Sequence, residues 1–334
     1  MKRWMLLLLM CVLGSVAQAG GTKLPYTYAR IGSSVDATNV QLGGGTVLMG
    51  GSTDVDAAFQ WMCSRSKGGD FLVIRATGTD AYNPYIDGLC KAVNVAANSV
   101  ATLIIPTTVA ANDVRVSDLI MKAEAIWIAG GDQSDYIKFW TGTKVQAALN
   151  ARIAAGVPVG GTSAGLNVLS QYVYSALASK GVTSSQALAN PFNSYMSFTR
   201  DFTVVPVLAE IIGDPHFSAR DRMGRDLAFL CRMYVDGVSA QPKGISVDEE
   251  TALLIDEIGS SSVVGKGSVY FLKAPGKPEV CAALSPLTYR NISVYRIEAG
   301  GTFELKNTWT GLRGLGYTIT ADRGALSTLN GSIY

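Results

Sequence analysis

The sequence predicts an α/β fold, a doubly wound, mostly parallel sheet with a β-rich C-terminal extension. Three observations carry this. Apolar runs such as "FLVIRAT", "VATLIIPT" and "AIWIAGGD" recur between Gly, Pro and Asp residues. They are apolar throughout rather than alternating, as strands buried on both faces are. Helix-like stretches separate them, which is the pattern of strands joined by crossovers.

The elements follow in chain order. "MKRWMLLLLMCVLGSVAQAG" has a basic start (Lys2, Arg3), an apolar run from Trp4 to Leu13 and an Ala-Gln-Ala end. This reads as a secretory signal peptide over residues 1–19, cut after Ala19, so the mature chain is expected to be secreted or periplasmic. The apolar run is too short to span a bilayer comfortably, and no membrane association is expected after cleavage. A polar lead-in (20–43) precedes "GGTVLMGG", the first buried strand. "STDVDAAFQWMCSRSKGGD" reads as a helix with Ser52 or Thr53 as cap, acids in its first turn and Gly-Gly at its end. The three runs named above are the next strands and "GVPVGGTSAG" the fifth, with helices expected over 84–97, 113–122 and 134–155. "GISVD", "TALLID", "SVYFL" and "ISVYRIEAGGTFELK" read as short strands of an antiparallel continuation. "GSSSVVGKGS" (259–268) reads as a hairpin turn. The expected organisation is a catalytic α/β domain over 20–258 and a β-rich extension over 259–334 packed on it.

Charge and cysteines narrow the function. Removal of residues 1–19 lowers Lys+Arg from 28 to 26, equal to the 26 Asp+Glu. A neutral chain is not a general nucleic-acid binder, which would carry a basic excess. Cys63, Cys90, Cys231 and Cys281 remain, enough for two disulfides in an oxidising compartment, with Cys63–Cys90 the expected pair. Their spacing and the single histidine give no zinc site, and no metal or cofactor is expected.

In such sheets ligands gather at the carboxyl ends of the strands. "GTSAG" lies at one of these ends and fits G-x-S-x-G, with Ser163 at its centre. An apolar strand runs into it and a helical stretch follows, so the serine hydroxyl is expected at a sharp strand-to-helix turn. The backbone N–H groups of Ala164 and Gly131 are candidates for an oxyanion hole. A serine nucleophile needs a base. The only imidazole is His216, in "GDPHFSARDRMGR", with Asp214 before it and Arg220, Arg222 and Arg225 after it. By spacing alone the three arginines read as a solvated helix face with ordinary ion pairs to Asp221 and Asp226. "RATGTDAYNPY" fits either a pocket wall carrying Asp80, Tyr82 and Asn83 or an ordered loop held by Pro84.

"IWIAGGDQ" (126–133), "GTSAG" (161–165), "DPHFSARDRMGR" (214–225) and "GISVDEETAL" (244–253) together resemble, in the same order, the cyanophycinase family of serine peptidases. That family is related to aspartyl dipeptidases and to proteins with the class I glutamine amidotransferase-like fold. The resemblance implies a secreted enzyme that cleaves cyanophycin, a poly-aspartate bearing arginine on its side-chain carboxylates, to β-Asp-Arg dipeptides without a cofactor. By motif, Ser163 resembles the nucleophile and His216 its base. Gln133, Asp132, Asp214, Arg220, Arg222 and Arg225 resemble the substrate-binding set. Two departures stand out. Pro215 occupies the place of a family Gln and offers neither a side-chain amide nor a backbone donor. Gln186 stands where the orienting carboxylate of the triad is expected, leaving Gln186, Asp214 and Asp201 as candidates to orient His216, while Asp248 and Glu249, after a strand, are expected to buttress structure rather than carry chemistry. The alternatives are an Asp-specific dipeptidase-like exopeptidase and a catalytically degenerate binding protein. The expected partner is a polypeptide substrate, and the oligomeric state is open, with a homodimer among the options.

Overall fold

The computed structural model describes residues 24–178, 180–329 and 332–334. The expected signal peptide lies outside them. In chain order the first half runs β1 (Thr27–Gly32), β2 (Thr46–Met49), α1 (Asp56–Ser66), β3 (Asp70–Arg75), α2 (Tyr82–Ala92), β4 (Ser99–Ile104), α3 (Thr108–Ala111), α4 (Val114–Met121), β5 (Ala125–Ile128), α5 (Gln133–Trp140) and α6 (Lys144–Ala154). There follow β6 (Val159–Thr162), α7 (Ala164–Leu169), β7 (Tyr172–Tyr174), α8 (Ser184–Ala189), β8 (Phe198–Arg200), β9 (Ile211–Asp214) and α9 (Met223–Val235). The rest is strand: β10 (Lys243–Val247), β11 (Thr251–Ile255), β12 (Ser260–Gly265), β13 (Ser268–Lys273), β14 (Tyr289–Glu304), β15 (Thr310–Asp322) and β16 (Ala325–Thr328).

Among the described residues these strands form one sheet in the order β1-β4-β3-β5-β6-β2-β11-β12-β14-β13-β10-β9-β7-β8, with β15 and β16 continuing from β14. It is α/β and mixed rather than mostly parallel. The block β4-β3-β5-β6-β2 is parallel, as are the β9 pairings with β10 and β7. The late strands join antiparallel, and among the described residues no helix connects β10 through β16.

Alternation along the parallel strands sorts the core into two layers. Val47, Phe71, Val73 and Trp127 face α1 and α2, where Phe59 and Met62 meet them. Leu48, Leu72, Ile74 and Ile128 face the opposite layer, with Ile120, Trp140 and Leu149 of α4, α5 and α6. A third cluster joins α8 and α9 to β13 and β14 through Leu188, Phe229, Leu272 and Val294.

Three local expectations change. The helix expected over 134–155 is two helices, parted where Gly142 adopts φ 70° and the Thr143 hydroxyl donates to the Trp140 carbonyl at 2.6 Å. The segment read as a turn over 259–268 is mostly β12, whose Ser261 and Val263 are buried while Ser260 and Ser262 are less so. The polar lead-in contains β1, paired antiparallel to β4. Cys63–Cys90 joins α1 to α2, as expected, and Cys231–Cys281 ties α9 to the segment before β14. These bonds close sequence separations of 27 and 50 residues, worth about 3–4 kcal/mol each in the chain-entropy account.

Candidate active site

Ser163 sits between β6 and α7 at φ 54°, ψ −114°. An L-residue is costly to hold there, and such strain collects where a side chain must be aimed. Its backbone N–H donates to the Met49 carbonyl at 3.0 Å. Pro215 ends β9, and His216 follows at φ 50°, its N–H donating to the Gly50 carbonyl at 2.9 Å. The N–H of Glu250, in the turn from β10 to β11, donates to the Gly51 carbonyl at 2.9 Å. Three carbonyls in a row, at the end of β2 and the start of its loop, therefore anchor three segments far apart in sequence. Gly50–Gly51 is a feature that the sequence reading treated only as the end of a strand.

This anchoring brings three side chains into line. Ser163 Oγ is 2.7 Å from His216 Nε2. His216 Nδ1 is 2.6 Å from Glu249 Oε1. His216 is 5% exposed, so its imidazole is buried. With Nδ1 protonated and donating to Glu249, Nε2 is free to accept from the serine hydroxyl. Burial lowers the His216 pKa below its ordinary value; the Glu249 hydrogen bond opposes this, and the charges of Arg220 and Arg222 add to the lowering.

The orienting carboxylate is thus Glu249, and none of the three residues expected. Gln186 is spent in a capping box, its side chain accepting from the Thr183 N–H at 3.0 Å. Asp201, just past the end of β8, accepts from the Gln171 side chain at 2.8 Å. Asp214 is 1% exposed and turned toward α9, where Arg225 Nε reaches it at 2.7 Å and Arg222 Nη1 at 3.1 Å. Glu249 was legible only as part of a strand-end motif, because a residue 33 positions after the histidine gives no local signal.

The other expected residues divide. The Ala164 N–H belongs to the first turn of α7, where helix geometry leaves amides without an intrahelical acceptor. Gly131 is exposed beside it; a Cβ on the preceding Gly130 would lie 3.5 Å from the Ser163 Cβ. Asp132 caps α5, accepting from the Ser134 N–H at 2.8 Å. Gln133 donates to the Tyr174 carbonyl at 3.4 Å. Arg222 and Arg225 are buried against Asp214, while the Arg220 side chain is 53% exposed with Nε 3.8 Å from Glu249 Oε1. A cleft of about 390 Å³ opens beside these arginines, with residues 181–185 on one wall and Arg220, Asp221, Arg222 and Arg225 on the other. Pro215 keeps its carbonyl in use, accepting from Arg222 Nη1 at 2.7 Å. In "RATGTDAYNPY", Asn83 is buried and donates to the Ala29 carbonyl at 3.1 Å, a structural role.

A hydroxyl, an imidazole and a carboxylate in this order can carry acyl transfer. The comparisons with known proteins point the same way. The sequence model of Peptidase family S51 matches residues 41–262. The chain is 28% identical over 199 residues to the cyanophycinase of a Nostoc species, covering 57% of this chain and 60% of that one. It is 29% identical over 188 residues to the cyanophycinase of Trichormus variabilis, covering 54% and 56%. It is 25% identical over 256 residues to the cyanophycinase of Geminocystis herdmanii, covering 74% and 86%. The match thus spans less than two thirds of the length of the first two relatives. Among solved structures, a peptidase from an acI-B1 Actinobacterium has a TM-score of 0.52 at 18% identity, covering 79% of this chain and 98% of that one, a likeness of fold. These matches fall on the family that the four sequence motifs resemble.

Proposed function

The chain belongs to peptidase family S51, and on that premise we propose that it is a secreted serine-type peptidase that hydrolyses cyanophycin to β-Asp-Arg dipeptides. The observation that carries this reading is the Ser163–His216–Glu249 relay, with contacts of 2.7 and 2.6 Å. The cyanophycinase relatives supply the substrate class. The two disulfides suit an oxidising compartment, and with the expected leader they support export.

In this reading His216 Nε2 takes the Ser163 proton as Oγ attacks the substrate carbonyl. The oxyanion meets the N–H groups of Ala164 and the Gly131 region. Glu249 stabilises the imidazolium that forms. His216 then gives its proton to the leaving amine as the C–N bond breaks, leaving an ester on Ser163. Water, deprotonated by His216, attacks the ester and frees the serine. Arg220, exposed at the cleft, meets a substrate carboxylate, while Arg222 and Arg225 hold the wall through Asp214.

The carboxylate of Glu249 speaks against a catalytically degenerate binding protein, since the missing orienter was the main ground for that reading. The test is direct. Purified protein clears a suspension of insoluble cyanophycin and releases dipeptides; Ser163→Ala does not. A fluorophosphonate probe labels the native chain stoichiometrically and the variant not at all. Turnover of soluble Asp-X dipeptides with no clearing of cyanophycin would instead favour the dipeptidase-like alternative.

A further inference from the structure

The segment between His216 and α9 carries Arg220 and Arg222; near His216 the Phe217 N–H donates to the Val247 carbonyl at 3.2 Å and the Ser218 N–H to Asp248 Oδ1 at 2.9 Å, and its far end, at the start of α9, is tied separately. Helix α9 begins without a side-chain cap, its N-cap position being Arg222. Asp221 sits in the left-handed region at φ 47°. The first amide of a helix needs an outside acceptor, and here it comes from a part of the chain beyond the family match. The Met223 N–H donates to the Tyr334 hydroxyl at 2.9 Å. The same hydroxyl donates to Asp221 Oδ1 at 2.9 Å. The Tyr334 ring packs on Phe217, the residue after His216, at 5.5 Å between centroids, and on Tyr270 at 6.1 Å. Both partners are buried.

We propose that Tyr334 is a positioning residue for the substrate cleft: by capping α9 and pinning Asp221 it fixes the 217–222 segment, and with it the placement of Arg220 and Arg222. This rests on the peptidase reading above for its consequence in catalysis, though not for its geometry. A phenol is suited to the task because it donates and accepts at once; burial beside Asp221 raises its pKa, so it keeps its proton. Tyr334 touches none of the reacting groups, so its loss is expected to weaken substrate capture and spare the chemistry.

The experiment compares the full chain with Tyr334→Phe, Asp221→Asn and Asp221→Ala. Three readouts are taken: KM and kcat on cyanophycin, the rate of Ser163 labelling by a small fluorophosphonate, and hydrogen exchange over residues 217–224. Tyr334→Phe keeps the ring and loses both hydrogen bonds. It is expected to raise KM about fivefold, the size of a lost helix cap, with kcat and labelling unchanged and exchange faster in that segment alone. Asp221→Asn, which still accepts from the phenol, behaves as the native chain, and Asp221→Ala shifts KM as Tyr334→Phe does. The proposal is overturned if Tyr334→Phe leaves KM and local exchange at their native values. It is also overturned if labelling and exchange in the core strands change as much as the segment does, which would mark a general loss of stability. If the native chain does not act on cyanophycin, the substrate reading fails by itself, and the exchange comparison still decides whether Tyr334 pins the segment.

Discussion

Glu249 Oε1 lies 2.6 Å from His216 Nδ1, on a turn that follows a different strand from the one that delivers the histidine. Strand β9 ends before His216 and its parallel neighbour β10 ends before Glu249, so one sheet edge presents both. The carboxylate fixes the imidazole tautomer and stabilises its protonated form. Glu249→Gln keeps the shape and loses the charge. By analogy with the matching change in another serine protease, kcat falls about 10⁴-fold. Steady-state turnover of cyanophycin, with circular dichroism to show an intact fold, measures this; a loss under tenfold would take Glu249 out of the relay.

The acid side of the pH profile follows from His216. Only the neutral imidazole accepts the serine proton, so labelling of Ser163 falls as pH drops through the His216 pKa. That pKa lies below the ordinary value of 6.5, chiefly because the ring is buried, so activity should persist into mildly acidic solution. Arg220 contributes to the lowering. In Arg220→Gln a positive charge leaves, the imidazolium forms more readily, and the acid limb moves up toward neutrality. A small fluorophosphonate, which needs no arginine contact, reads this across pH without interference from substrate binding. An unmoved or downward-shifted limb would contradict the assigned electrostatics.

Much of this was legible in the sequence, for reasons that differ by residue. The parallel strands announced themselves because burial on both faces makes them apolar throughout. Ser163 could be found because a strained turn needs small neighbours on either side, and His216 because the chain holds a single imidazole. Glu249 could not be found by spacing. Its position depends on β9 and β10 lying side by side, a pairing that no local pattern records. Asp214 misled for a related reason: two positions from His216 it seemed well placed, but alternation along the strand turns it away to the arginines. Most of the late strands, β12 excepted, are legible as strands, yet their membership of the same sheet is decided by long-range pairing.

Gly51 offers a second test of the anchor beneath the site. It adopts φ 98°, and a Cβ there would lie 2.6 Å from His216 Nε2. Gly51→Ala therefore combines a disfavoured backbone with a clash against the base itself. A displacement of about 1 Å in a catalytic group can cost about 10²-fold, and kcat is expected to fall by that order. Ser163 labelling should slow in parallel, while β3 and β4, on the far side of β5 and β6 from the loop, keep their protection from hydrogen exchange. Native labelling rates in Gly51→Ala would show that the imidazole has room to spare.

The acids beneath the arginine wall should respond unequally to loss of charge. Asp214 faces Arg225 and Arg222 together, and although burial opposes ionisation, the two cations outweigh it and hold the carboxyl below its usual range. Asp226, 1% exposed, accepts from the Ser246 hydroxyl and is hydrogen-bonded to Asp214, to which both arginines are committed. Burial first, and then the charge of Asp214, raise its pKa well above the ordinary value, which favours its protonated form. Asp214→Asn leaves two buried guanidinium groups uncompensated, a loss of about 3–5 kcal/mol in unfolding free energy. Asp226→Asn replaces one neutral polar group by another of equal size and should cost under about 1 kcal/mol. Urea titration ranks the two. Infrared spectroscopy supplies the direct check, because a protonated carboxyl has a C=O stretch distinct from that of a carboxylate. That band should be present in the native protein at neutral pH and vanish in Asp226→Asn. If Asp226→Asn proves the more damaging of the two, or removes no such band, the charge assignment of the cluster is reversed, and Asp226 becomes an ionised partner of the arginines.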